Sequence, residues 1–121
     1  MAAVGIKRVY LPADDADGWR VLVDRLWPRG LAKARARVDH WDKSIAPSDG
    51  LRQWFRHEPG KWPEFQRRYF AELDAQAEAV QALREAMRGH ARVCLLFAAR
   101  DEARNNAVAL RAYLQTHGDA S

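Results

Sequence analysis

The run RVCLLFAA, residues 92–99, constrains the fold more than any other stretch of this chain. After its first arginine every residue is apolar. A run that short and that continuous reads as a strand covered on both faces, as in a parallel sheet packed against helices. The flanks agree with this reading. Upstream, Phe65, Tyr69, Leu73, Ala77, Val80, Leu83 and Met87 recur every three or four residues. That spacing predicts one helix from Pro63, at its first position, to Arg88, closed by Gly89. Downstream, beyond RDE, Ala103, Ala107, Leu110 and Leu114 fall on one side of a second amphipathic helix. Helix, buried strand, helix predicts an α/β domain with a mostly parallel central sheet of about four strands flanked by helices.

Two further strands are read near the start, VGIKRVYL at 4–11 and RVLVDRL at 20–26, separated by the turn-rich PADDADGW. LAKARAR opens like a short helix, while VDHWDKSIA alternates apolar and polar residues like a strand. SDGLRQWFRHEPGKW reads as a short helix with Ser48 or Asp49 as its cap and Pro59-Gly60 as its stop. Neither an internal repeat nor a linker divides the sequence, so residues 1–121 are expected to form one domain.

Composition narrows the function classes. Twenty basic against sixteen acidic residues leave a net charge of +4, which suits a small anionic ligand and is modest for a nucleic-acid binder. The one cysteine, Cys94, lies inside the apolar run, so no internal disulfide forms and the thiol is expected in the core. MAAVGIKRVYL has too short an apolar stretch for a signal peptide. No run approaches the roughly 20 apolar residues of a membrane span. A cytoplasmic protein with no membrane partner is the expectation. The four histidines, at 40, 57, 90 and 117, are scattered, and no metal site is expected. His40 with Asp42, and His57 beside Glu58, come nearest to acid–base pairs. A glycine-rich phosphate loop, a G-x-S-x-G elbow and a C-x-x-C pair are all missing.

Open parallel sheets bind ligands beyond the carboxyl ends of their strands. The second strand runs into Asp24, Arg25, Trp27 and Arg29; the third candidate strand is followed by Lys43 and Ser48; the last is followed by Arg100 and Asp101, then Asn105 and Asn106 in the first turns of the final helix. A parallel sheet brings these three loops to one rim. Arg25, Arg29, Lys43 and Arg100 would hold an anion there, and Asp24 or Asp101 would handle protons in any catalysis. Each has a plainer alternative as a cap or a structural ion pair, Asp101 and Ser48 above all. Of the five tryptophans, Trp27 is the one placed for a ligand, because it follows charged residues on a loop.

The blocks DRLWPRG, WDKSIAPSDGLRQWFRHEPGKWPEFQRRYFAEL and LLFAARDEARNNAVALRAYL together resemble the YeaO-like branch of the domain-of-unknown-function family 488, over roughly Lys7 to Leu114. The resemblance implies a small cytosolic α/β protein of unassigned activity. It marks Asp24, Arg25, Trp27, Pro28, Arg29, Gly30, Lys43, Pro47 and Ser48, then Leu51, Arg52, Trp54, Phe55, His57, Arg68 and Tyr69, and finally Arg100, Asp101, Asn105 and Asn106 as its characteristic positions. Other branches resemble CAEKDPEHCHR where this chain reads FAARDEARNNA. Phe97 and Asn105 therefore stand where those carry cysteines, and Asn106 where they carry histidine, which removes thiol chemistry from this position. The sequence thus leaves two readings. One is an anion-binding pocket, catalytic or not, for a phosphate- or carboxylate-bearing metabolite or nucleotide, its cofactor, if any, unknown. The other is a nucleic-acid-binding or regulatory module without catalysis.

Overall fold

The computed structural model describes residues 3–117. Met1, Ala2 and residues 118–121 lie outside the described residues, and with them the start of the segment read as too short for a signal peptide. Four strands, β1 (Ala3–Arg8), β2 (Trp19–Leu22), β3 (His40–Trp41) and β4 (Arg92–Phe97), form one sheet in the order β1-β4-β2-β3. All three pairings are parallel. The apolar run is therefore a central strand, as read. β4 pairs with β1 from Ala3↔Arg92 to Arg8↔Phe97 and with β2 from Trp19↔Val93 to Leu22↔Leu96.

Alternation along β4 divides the interior. Val93, Leu95 and Phe97 face the larger core, which also takes side chains of α2 (Asp49–Phe55), α3 (Trp62–Asp74), α4 (Ala77–Arg88) and α5 (Asn106–Thr116). Cys94 and Leu96 face a smaller cluster with Val9, Leu22, Trp27 and Trp41, beneath the loop that contains α1 (Lys33–Ala36). Cys94 is buried, as expected, and burial pushes its thiol up. Among the described residues, no helix is long and apolar enough to cross a membrane.

Several elements depart from the sequence reading: the first strand stops at Arg8, and the short helix after Ser48 stops at Phe55, before the 3-10 turn at Pro59–Lys61. The helix expected over 63–88 is two, α3 and α4, separated at Ala75 and Gln76, where Gln76 leaves the helical region (φ −120°, ψ 47°). One straight helix there would run about 40 Å, longer than a domain of this size, about 35 Å across; the break lets both halves turn their apolar faces into the larger core. The strand expected over VDHWDKSIA shrinks to His40–Trp41, followed by a 3-10 turn at Lys43–Ile45. His40 therefore forms no strand-face pair with Asp42; its ring stacks on Trp19 at 5.6 Å. The final helix begins at Asn106, so Ala103 lies outside it, on an exposed loop.

The second strand also ends early, and the reason leads to the site. Val23 still donates its N–H to the Leu96 carbonyl at 3.1 Å. One residue on, the Asp24 side chain takes over from the backbone ladder and accepts the Ala98 N–H at 2.9 Å.

Candidate functional site

Beyond the carboxyl ends of β2 and β4 lies a cavity of about 530 Å³, within the usual range for a small-molecule site. A larger hollow of about 730 Å³ follows edge strand β1 and is lined by charges of both signs, Lys7, Arg8, Asp17, Arg92, Glu102 and Arg111; the smaller cavity is the one that gathers the residues after β2.

The floor of the smaller cavity is a fixed pair. Asp24 Oδ2 accepts the Ala98 N–H, and Oδ1 accepts Asn106 Nδ2 at 3.0 Å. The same Nδ2 donates to the Val23 carbonyl at 2.8 Å. With acceptors on both sides, the amide end of Asn106 is set by its surroundings. Asn105 is the N-cap of α5: its Oδ1 accepts the Val108 N–H and its Nδ2 donates to the Asp101 carbonyl, both at 2.9 Å. That cap turns Asn106 back toward the sheet. Burial pushes the Asp24 carboxyl above its ordinary range; the hydrogen bonds from Asn106 and Ala98 and the nearby Arg52 and His57 oppose the rise.

Basic side chains surround this floor. Arg25, Arg29, Arg52 and His57 all line the cavity. Arg25 and Arg52 share one carboxylate, Asp49, at 3.7 and 3.6 Å, so positive charge is in excess there. Arg25 also reaches the Pro47 carbonyl at 3.4 Å, tying the segment before α2 to the loop after β2. Arg56 and His57 follow α2 with φ of 48° and 56°, two successive left-handed residues without a glycine. Such backbone costs about 1–2 kcal/mol per residue, and here it places His57 at the cavity. Phe55, Phe65, Trp27 and Tyr10 supply apolar wall, and the Tyr10 hydroxyl donates to the Arg29 carbonyl at 2.8 Å.

Six of the ten sequence-derived site residues therefore meet: Asp24, Arg25, Trp27, Arg29, Asn105 and Asn106. Trp27 lines the wall while its own indole N–H is taken by the Leu31 carbonyl at 2.7 Å and its ring meets Trp41 edge-on. The other four do not line the cavity. The Lys43 ammonium lies over Trp41, 4.1 Å from the ring centre. Ser48 caps α2 through the Leu51 N–H and donates to Glu72 at 2.6 Å. Asp101 accepts the Ala103 and Arg104 N–H groups and pairs with Arg104 at 3.2 Å, which holds its carboxyl below the usual range. Arg100 is exposed and outside the lining. Arg52, His57 and Tyr10 enter the site unannounced by the strand-end rule. Arg52 is marked only by the family resemblance, and His57 by the resemblance and as the neighbour of Glu58, because they come from a helix and the loop after it. Among the described residues, no group of three or more histidine, cysteine, aspartate or glutamate side chains is placed to hold a metal ion.

Comparison with known proteins shows the family of the chain. The family model DUF488-N3i, described as the inactive DUF488-N3 subclade, matches residues 3–121. The protein named Uncharacterized protein YeaO of Escherichia coli (strain K12) is 39% identical over 110 residues, 91% of this chain and 95% of the relative. Uncharacterized protein Rv3073c of Mycobacterium tuberculosis (strain ATCC 25618 / H37Rv) is 44% identical over 107 residues, 88% of this chain and 89% of the relative. Uncharacterized protein Mb3100c of Mycobacterium bovis matches to the same extent. No solved structure gives a significant match.

Proposed function

We propose that this chain, which belongs to the DUF488-N3i family, the inactive DUF488-N3 subclade, is a cytoplasmic protein that binds a small anionic ligand beyond β2 and β4 without turning it over. One observation carries the reading: three arginines, Arg25, Arg29 and Arg52, converge on a cavity whose floor is the hydrogen-bonded Asp24–Asn106 pair. Arginine forks suit phosphate and carboxylate oxygens, and a partly enclosed cavity strengthens such bonds. The family description supports the non-catalytic half. So does Phe97 at the end of β4, where the resemblance places a cysteine in other branches, together with Asn105 and Asn106, whose amides are engaged in the fold. The nucleic-acid reading has less support. On α3, Arg67 and Arg68 both pair with Glu64, at 2.6 and 2.8 Å, and this holds the Glu64 carboxyl down to about 2.

Titration calorimetry with inorganic phosphate, citrate and a nucleotide tests the proposal. Binding of at least one, lost in Arg52→Ala and kept in Arg100→Ala, is the expected result. No heat from any of them at millimolar concentration would overturn it.

A further inference from the structure

The cavity distinguishes its two ends by hydrogen-bond polarity, and this says more about the ligand than its charge. At the floor, both hydrogens of Asn106 Nδ2 are committed, to Val23 O and to Asp24 Oδ1. No described donor reaches Asn106 Oδ1. Every fully buried side-chain nitrogen or oxygen among the described residues has a partner. Asn106 Oδ1 is therefore open, and the open space beside Asn106 is the cavity it lines. Asp24 spends one lone pair of each oxygen on an N–H donor, which leaves acceptor capacity and, in its ionised form, nothing to donate. The floor thus accepts hydrogen bonds and offers none. At the rim the inventory reverses, because arginine only donates. Arg29 has no side-chain partner among the described residues, and Arg25 and Arg52 divide a single carboxylate.

A ligand that satisfies both ends carries an anion at one end and hydrogen-bond donors at the other. An ammonium would supply donors, but it would enter a space already lined by three arginines that Asp24 and Asp49 do not neutralise. Neutral hydroxyls carry no such repulsion. The tetrahedral, multiply charged phosphate makes fuller use of three separate guanidinium groups than a planar carboxylate does. The walls, Phe55, Phe65 and Tyr10, are aromatic, a surface that suits a ring.

Building on the anion-site reading, we infer that the cavity takes a phosphate monoester whose far end bears neighbouring hydroxyls, a sugar phosphate either free or within a nucleotide. The hydroxyls sit on Asp24 and Asn106 Oδ1, and the phosphate sits among Arg25, Arg29 and Arg52.

The test is a calorimetric series on the unmodified protein with inorganic phosphate, butyl phosphate, ribose 5-phosphate and a nucleoside 5′-monophosphate, repeated on Asp24→Asn. Ribose 5-phosphate should bind about tenfold or more tighter than butyl phosphate, the effect of a hydrogen bond to a charged acceptor. Asp24→Asn should remove that preference, ribose 5-phosphate and butyl phosphate then binding alike. A nucleotide tighter still would assign the sugar phosphate to a nucleotide; a nucleotide no tighter would assign it to the free compound. Equal binding of ribose 5-phosphate and butyl phosphate would overturn the inference and leave the anion site standing. No binding of any phosphate would overturn both. If Asp24→Asn fails to fold, the comparison on the unmodified protein still decides.

Discussion

Asp24 carries two opposed pressures, because its burial favours the neutral acid while its N–H donors favour the ion. Burial prevails, so the folded-state value lies above the ordinary 3.8. In the window between the two values the folded protein holds a proton that the unfolded chain has lost. Stability therefore falls as pH rises through that window, and the loss persists above it. Asparagine has no such titration. The melting temperature of Asp24→Asn should rise relative to the unmodified protein between a pH below 3.8 and neutrality. A flat difference would mean that ionisation of Asp24 carries no cost. Two glycines make a second test at this scale. Gly18 has φ 74°, and a Cβ there would lie 2.3 Å from the Arg92 carbonyl oxygen. Gly30 has the same φ with nothing within 4 Å. Chemical denaturation should show Gly18→Ala losing about 3–4 kcal/mol, backbone strain plus a clash, and Gly30→Ala only about 1 kcal/mol. The sequence pairs these glycines with turns but does not tell them apart, since the difference comes from a strand distant in the chain. The same limit applied to His57, whose left-handed backbone carries no glycine to mark it.

Elements were legible where periodicity and burial agreed, and misread where periodicity is blind. Leu73 and Val80 are seven residues apart, two helical turns, so the apolar stripe looks continuous whether or not the chain leaves the helix at Ala75 and Gln76. A helix without the break would outrun the domain, and size is not a local signal. Caps show a related limit. Ser48 was read from sequence both as a cap and as a ligand contact; the structure gives it the cap and adds Glu72, reached from α3. Ser48→Ala should therefore cost about 1–2 kcal/mol, a cap plus a side-chain hydrogen bond to a charged group. Phosphate affinity should stay unchanged. Glu72→Gln made in that background should add less destabilisation than it does alone, as expected for partners in one network. A loss of affinity in Ser48→Ala, with stability preserved, would return the serine to the site.

Over the whole molecule, parallel topology followed from one apolar run, because a strand covered on both faces needs crossover helices. Strand order did not follow from it. The arrangement β1-β4-β2-β3 puts the last strand beside the first two, and only that placement brings Asn106, 82 residues beyond Asp24, against its carboxylate. The cavity is consequently assembled from distant segments, the loops after β1, β2 and β4, the end of α2 and Phe65 of α3, and it has no counterpart in the unfolded chain. A ligand that binds there must stabilise the fold as a whole. At a hundred times its dissociation constant the gain is about 2.7 kcal/mol, which for a domain of this length raises the melting temperature by about 10 °C. Thermal melts in saturating ribose 5-phosphate should show this shift for the unmodified protein, for Lys43→Ala and for Arg100→Ala, whose side chains do not line the cavity. Arg52→Ala should show almost none, although its melting temperature without ligand should change little, because its pair with the exposed Asp49 is screened by solvent. Loss of the shift in Lys43→Ala or Arg100→Ala, with Arg52→Ala behaving like the unmodified protein, would move the anion site to the loop surface beyond β3 and β4.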